Sequence, residues 1–124
     1  MLEIGNAQAL GKREEQQDYF ASFEIKHVCF LIVADGMGGY RGGAEASQRA
    51  LRTFSACIQS SELKDICSEL KVALEEANHS LLELQDEFPG LGTTLIALAV
   101  KDNHAWWISV GDSPLYLLRD KHLE

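Results

Sequence analysis

The chain has 124 residues, of which 46% are hydrophobic and 24% charged, a composition that is typical of one globular unit and excludes a disordered or fibrous protein. Acidic residues outnumber basic ones by 19 to 11, so the formal net charge is -8 at pH 7. This charge disfavours nucleic acids and anionic membrane surfaces as partners. No apolar run is long enough to span a membrane and residues 1–10 do not resemble a secretion signal, which predicts a cytoplasmic protein.

Three strands are predicted before residue 40, and no repeat or linker divides the chain, so we treat residues 1–124 as one unit. The predicted strands are Ile4–Leu10, Tyr19–Ile25 and His27–Ala34. The third strand is apolar on both faces between residues 28 and 34. A strand with two apolar faces is expected in the centre of a sheet.

Two helices are predicted next. Apolar residues recur at helical spacing from Ala44 to Ile58, and Ser60 and Ser61 offer a break and an N-cap for a second helix. An apolar stripe runs along that second helix, stepping by three or four residues through Leu63, Ile66, Leu70, Leu74, Ala77, Leu81 and Leu84. The stripe predicts a core-facing seam, and the alternative is a coiled-coil dimer, which is disfavoured because only about three heptads are present.

Three further strands are predicted after Pro89 and Gly90: Thr93–Val100, His104–Val110 and Leu115–Arg119, with a hairpin turn at residues 101–103. The order βββ-αα-βββ predicts an α+β fold in which helices pack on an antiparallel sheet. No helix follows the last strand, so one face of a sheet is expected to lack its cover. An uncovered face favours self-association.

Acidic residues stand at the ends of three predicted strands. Asp18 precedes one strand, Asp35 follows the central strand in a glycine-rich segment, and Asp112 follows another. A buried carboxylate requires a cation, an arginine or several N–H donors, and Mg²⁺ and Mn²⁺ prefer oxygen ligands. The three acids are therefore expected to converge on a site for such an ion, and the simpler alternative is an Asx-turn at Asp35.

Two other kinds of site are disfavoured by spacing. The glycines at 36, 38 and 39 lack the third glycine of the G-x-G-x-x-G motif, and no Gly-Lys-Ser/Thr follows, so nucleotide binding is not expected. Zinc is not expected either, because histidines and cysteines do not cluster. The thiols of Cys29, Cys57 and Cys67 are predicted to be reduced and buried.

Four motifs occur in order along the chain. They are Arg13-x-x-Gln16-Gln17-Asp18; Val33-Ala34-Asp35-Gly36-Met37-Gly38-Gly39 with Gly43-x-Glu45-Ala46-Ser47; Gly92-Thr93-Thr94-Leu95; and Val110-Gly111-Asp112-Ser113 with Tyr116-Leu117-Leu118-Arg119. The set resembles the bacterial-type, metal-dependent serine/threonine protein phosphatases of the PP2C (PPM) family. That resemblance implies a layered β-sandwich flanked by helices, of which this chain would form the N-terminal half.

The resemblance also implies a role for each candidate site residue. Asp35 would bridge two Mn²⁺ or Mg²⁺ ions, the Gly36 carbonyl would add a ligand to one of them, and Asp18 would contact the metals directly or through water. Arg13 would hold the substrate phosphate with its planar guanidinium group. Asp112 would help to hold a further, looser ion. The implied reaction is hydrolysis of a phosphoserine or phosphothreonine in a protein substrate by a metal-activated water.

The resemblance further implies that the family's domain is longer than this chain, with more aspartates in its later half. We therefore expect weak metal binding and low turnover from residues 1–124 alone. The alternative is a non-catalytic, phosphatase-like module that binds a partner chain, although the retained candidate site residues argue against it. A third interpretation, an acidic α/β domain whose acids only cap turns, is disfavoured by the order of the motifs.

Overall fold

The computed structural model describes residues 2–9, 16–37 and 39–124. The elements are β1 Asp18–Ile25, β2 Val28–Met37, α1 Gly39–Gln59, α2 Ile66–Leu82, β3 Gly92–Thr93, β4 Leu95–Lys101, β5 His104–Val110, β6 Leu118–Arg119 and β7 His122–Leu123. All strand pairs are antiparallel, which confirms the predicted α+β class. Neither of the two helices in this part of the chain is long and apolar enough to cross a membrane.

The main sheet has the strand order β1-β2-β4-β5, with β3 paired to β2. The central place of β2 confirms the prediction from its two apolar faces. β1 and β2 are joined by Lys26 and His27, whose φ angles of 52° and 65° are both left-handed, as a tight hairpin turn requires. The predicted hairpin turn between β4 and β5 is also confirmed, and its Asp102 has φ 54°.

Both helices cover the same face of this sheet. α1 packs on β1 and β2, and α2 packs chiefly on α1. Phe30 and Ile32 of β2 are almost completely buried beneath them. The buried apolar helix residues are Ala44, Ala46, Ala50, Phe54 and Ile58 of α1 and Ile66, Leu70, Ala73, Ala77 and Leu81 of α2. Their spacing confirms the core-facing seam, but α2 is shorter than the predicted stripe, since Leu63 and Leu84 lie beyond its two ends.

The opposite face of the sheet, here the open face, is only partly covered. The strand registers place on it Phe20, Leu31, Val33, Leu98, Val100 and Trp107. Phe20 is 40% exposed, Val33 47% and Trp107 62%. The neighbouring Trp106 belongs to the other face and packs against the core, as strand alternation requires.

Of the predicted strands, one does not form and another is shorter than predicted. Residues 4–9 form no strand, and Leu10 lies outside the described residues, so the described residues before α1 form two strands rather than the predicted three. The N-terminal segment meets β1 through a side chain, because Gln8 Nε2 donates to the Asp18 carbonyl. Of the predicted strand Leu115–Arg119, only β6 forms, and its partner is the equally short β7. Both segments lack a long neighbouring strand with which to pair.

Three local predictions also differ from the structure. The N-cap of α2 is Asp65, whose carboxylate accepts the Ser68 N–H at 3.4 Å, rather than Ser60 or Ser61. β2 continues through Asp35 to Met37 because β3 supplies a partner there, so no turn follows the Asp. The three cysteines are free, as predicted, but none is fully buried: Cys29 and Cys57 are half-buried and Cys67 is exposed.

Candidate metal centre

Asp18 and Asp35 lie directly opposite each other on β1 and β2. The Gly36 N–H donates to the Gln17 carbonyl at 2.9 Å, which makes the two acids a non-hydrogen-bonded pair. Such pairs are the closer kind, with Cα atoms about 4.5 Å apart and side chains on the same face. Two like charges placed opposite each other repel, and the arrangement is therefore destabilising unless a cation lies between them.

The carboxylate of Asp18 is not fully satisfied. Its Oδ1 is buried and has no hydrogen-bond partner among residues 2–9, 16–37 and 39–124. The main chain of Asp18, in contrast, is held on both sides, since its N–H donates to Gln16 Oε1 at 3.2 Å and its carbonyl accepts from Gln8. A buried carboxylate oxygen without a donor carries a desolvation cost that a bound cation would offset.

Both acids line one cavity of about 410 Å³. Its other walls come from the N-terminal segment, from the open face and from the loop after β5, namely Ala7, Gln8, Ala9, Tyr19, Phe20, Val33, Ile96, Ser113, Pro114 and Leu115. A water molecule occupies roughly 30 Å³ in the liquid, so the cavity has room for cations together with their waters. The donor set, the oxygen atoms of two carboxylates, suits hard cations such as Mg²⁺ and Mn²⁺.

α1 lies very close to β1 and β2 beside the two acids. A Cβ atom on Gly36 would collide with the Gly43 carbonyl oxygen and lie 2.9 Å from the Gln17 carbonyl oxygen, so only glycine fits. Ser47, which is completely buried in α1, donates its hydroxyl to the Gln17 carbonyl at 2.7 Å. The residue before Asp18 is thus fastened to the helix.

On its other side, Asp35 is held by Thr94, the residue between β3 and β4. The Thr94 N–H donates to the Asp35 carbonyl at 2.8 Å, and Thr94 Oγ1 accepts the Asp35 N–H at 3.3 Å. Thr94 Oγ1 also lies 2.5 Å from Ser113 Oγ. Gly111 has φ 97° and its Cα faces the Thr94 side chain, where a Cβ would come within 2.6 Å of Thr94 Cγ2.

The remaining predicted site residues fall in different places. Asp112 is exposed in the loop after β5, and the described part of the chain contains no group of three or more His, Cys, Asp or Glu that could hold one ion. The structure therefore unites two of the three strand-end acids instead of all three. Arg13 lies outside the described residues. Asp35 sits inside β2, which excludes the Asx-turn alternative.

Ser47 and Thr94 were given no function by the sequence, although both belong to the quoted motifs. The signal that could have found them is their setting: each is a hydroxyl within an otherwise apolar or small-residue segment, and each proves to be buried. A buried hydroxyl requires a hydrogen-bond partner, and that partner is most often a main-chain atom. Which atoms those are depends on the tertiary structure.

The family model described as Protein phosphatase 2C matches residues 7–123 of this sequence. The chain belongs to this family. It is 36% identical over 115 residues to the protein phosphatase PhpP of Streptococcus pneumoniae, an alignment that covers 87% of this chain and 46% of PhpP. It is 33% identical over 96 residues to the serine/threonine protein phosphatase PstP of Mycobacterium tuberculosis, covering 75% of this chain and 19% of PstP.

Solved structures give the same result. A serine/threonine phosphatase of S. agalactiae matches with a TM-score of 0.81 at 33% identity, over 91% of this chain and 49% of that one. The catalytic domain of PstP in complex with two manganese ions matches with a TM-score of 0.72 at 30% identity, over 90% and 48%. The chain spans about half the length of these structures and of PhpP.

Proposed function

We propose that this chain forms part of the active site of a metal-dependent phosphatase that hydrolyses phosphoserine and phosphothreonine in proteins, with Mn²⁺ or Mg²⁺ as the cofactor. One observation carries the proposal: two carboxylates stand directly opposite each other, and a buried oxygen of one has no hydrogen-bond partner in the described chain. Membership of the PP2C family supports it, as does the matching PstP structure that contains two manganese ions.

Each candidate residue has a role within this proposal. Asp35 would hold both metal ions, the Gly36 carbonyl would add a ligand, and Asp18 would contribute directly or through a water molecule. Bound metal ions would supply an activated water and neutralise charge on the phosphoryl oxygens. Arg13 holds the phosphate of the substrate through the donors of its guanidinium group. Asp112, exposed at the end of β5, is the candidate for a further ion.

Metal titration of the 124-residue chain tests the proposal directly. Isothermal titration with Mn²⁺ should show binding that Asp18→Asn and Asp35→Asn each abolish. Asp86→Asn, the same substitution at an exposed position after α2, should leave the binding unchanged. Unaltered Mn²⁺ binding in the Asp35→Asn protein would refute the proposed site. Hydrolysis of p-nitrophenyl phosphate should require Mn²⁺, because the proposed reaction uses a metal-activated water. It should be slow, because the chain spans about half the length of PhpP.

A second candidate function is a non-catalytic module that binds another polypeptide. It is favoured by the open face, where Phe20, Val33 and Trp107 are substantially exposed. In this case the chain alone should self-associate, and sedimentation velocity should show Trp107→Glu shifting it towards the monomer. Tyr116→Glu is a matched control, since Tyr116 is similarly exposed, at 66%, but lies outside the sheet. Self-association together with no Mn²⁺ binding would favour this candidate over the phosphatase.

A further inference from the structure

We propose that the buried hydroxyls of Ser47 and Thr94 are positioning residues that fix the separation of the Asp18 and Asp35 carboxylates for a shared cation. This proposal rests on the metal-dependent function proposed above. Neither residue lines the 410 Å³ cavity, and both bond to main-chain atoms at or beside the acids. Their effect on a cation is therefore exerted through the position of the strands.

The Ser47 hydroxyl joins the helix to the start of β1. A serine inside a helix commonly donates to a carbonyl three or four residues earlier, and here Gly43 and Ala44 offer acceptors at 3.0 and 3.2 Å. The nearest acceptor is nevertheless the Gln17 carbonyl at 2.7 Å, which belongs to another segment. A hydroxyl has one proton to donate, and the shortest distance indicates that it goes to Gln17.

The same Gln17 carbonyl accepts the Gly36 N–H, so it receives two donors. One donor comes from the residue that follows Asp35 and the other from α1. The Gln17 carbonyl, immediately before Asp18, is thus bound both to the main chain immediately after Asp35 and to α1. Removal of the Ser47 hydroxyl would release only the connection to the helix.

The Thr94 hydroxyl replaces a regular bond of the sheet at Asp35 itself. β3 and β4 pair with β2 in one continuous register, in which Thr94 falls opposite Asp35. A regular antiparallel pair there would exchange two main-chain bonds. The Thr94 N–H makes the first, but the Asp35 N–H donates to Thr94 Oγ1 instead of to the carbonyl, which accepts Thr93 Oγ1 at 2.7 Å.

The two hydroxyls therefore brace the acid pair from different sides, Ser47 from the helix and Thr94 from the neighbouring strand. Two like charges on opposed strands push the strands apart, and a brace on each side resists that movement. Groups that orient metal ligands without touching the metal typically change metal affinity by about 10-fold to 100-fold when they are removed. An effect of this size is expected for both hydroxyls.

The test compares four variants with the unaltered chain in Mn²⁺ titrations. Ser47→Ala and Thr94→Val should each weaken Mn²⁺ binding by about 10-fold or more. Ser55→Ala is the matched control, because Ser55 lies on the same helix and its buried hydroxyl has no hydrogen-bond partner in the described chain. Thr94→Ser restores the hydroxyl and should restore binding. Unchanged affinity in folded Ser47→Ala and Thr94→Val proteins would overturn the proposal.

Amide hydrogen exchange without metal separates this proposal from the proposed function. Thr94→Val should speed exchange of the Asp35 amide and Ser47→Ala that of the Gly36 amide, while Ala97 and Ala99 in β4 keep their protection and report an intact sheet. If the unaltered chain binds no Mn²⁺, the metal-dependent function fails for this chain. The positioning role then depends on exchange alone, and unchanged exchange at both amides would overturn it.

Discussion

The two faces of the central sheet differ in what they bury. The helix-covered face carries Phe30 and Ile32, both almost fully buried against α1 and α2. The open face carries apolar residues that stay substantially exposed, such as Trp107, and it shares one side of the β1-β2 hairpin with Asp18 and Asp35. The hydrophobic core and the proposed metal centre thus lie on different sides of the same strands, and alternate residues of β2 belong to one or the other.

The largest expected difference between the faces is in the stability lost when a phenylalanine is replaced by alanine. Phe30→Ala removes a completely buried ring that also stacks on Phe23 at 5.4 Å, and should lower the free energy of unfolding by about 3–5 kcal/mol. Phe20→Ala removes a ring that is 40% exposed on the open face, and should cost about 1 kcal/mol. Urea denaturation measures both, and equal losses would contradict a core confined to the helix-covered face.

A smaller effect is expected where α1 meets the acids. Gly36→Ala places a Cβ against the Gly43 carbonyl and should cost about 1–3 kcal/mol of stability. Gly42→Ala, in the same helix contact region, meets only Leu91 and Phe88 at 3.7 Å and should stabilise by about 0.5–1 kcal/mol through helix propensity. Thermal unfolding of the two variants should therefore shift in opposite directions. A shift of both in one direction would contradict the close approach at Gly36.

The charge pair should give a still smaller effect whose sign depends on metal. Without metal, Asp18→Asn removes the repulsion from Asp35 and should raise the free energy of unfolding by about 0.5 kcal/mol. With Mn²⁺ present, the unaltered chain should become the more stable of the two, because only it gains binding free energy. Melting curves with and without Mn²⁺ check this reversal. An Asp18→Asn protein that is less stable under both conditions would disprove the repulsion.

The smallest effect concerns thiol reactivity and leaves stability unchanged. Burial raises the pKa of the Cys29 and Cys57 thiols, and the negative charge of nearby glutamates adds to the effect at both. The thiolate is the reactive form, so alkylation of these two thiols should be slow at neutral pH and accelerate as the pH rises through the raised pKa. Exposed Cys67 should be labelled first. Mass spectrometry at several pH values checks the order, which equal labelling rates at pH 7.5 would contradict.

Periodicity and composition predicted the parts of the fold that are decided locally. The β5 strand was predicted with both its ends, and the apolar stripes of α1 and α2 were predicted with the face that they bury. The extension of β2 through Met37 was missed because it depends on pairing with Gly92, far along the chain. The segment 4–9 has the pattern of a strand, but a pattern cannot supply a partner strand.

The site was predictable to a similar extent. Asp18 and Asp35 were singled out because acids at the ends of apolar strands require a cation or a donor, and the structure places them together. The expected third member, Asp112, is exposed, because the loop that follows β5 does not bring it to the other two acids. Ser47 and Thr94 were overlooked because their bonds to residues 17 and 35 exist only after the helix and strands have docked.

The Lys26-His27 turn determines more than the end of a hairpin. Side chains alternate between faces along a strand, so a slip of β1 by one residue against β2 would send Asp18 to the helix-covered face while Asp35 stayed where it is. Each acid lies eight residues from the turn, so the turn fixes the strand register in which Asp18 and Asp35 are opposite each other. An insertion or deletion of one residue between the turn and Asp18 would therefore separate the pair without touching either acid.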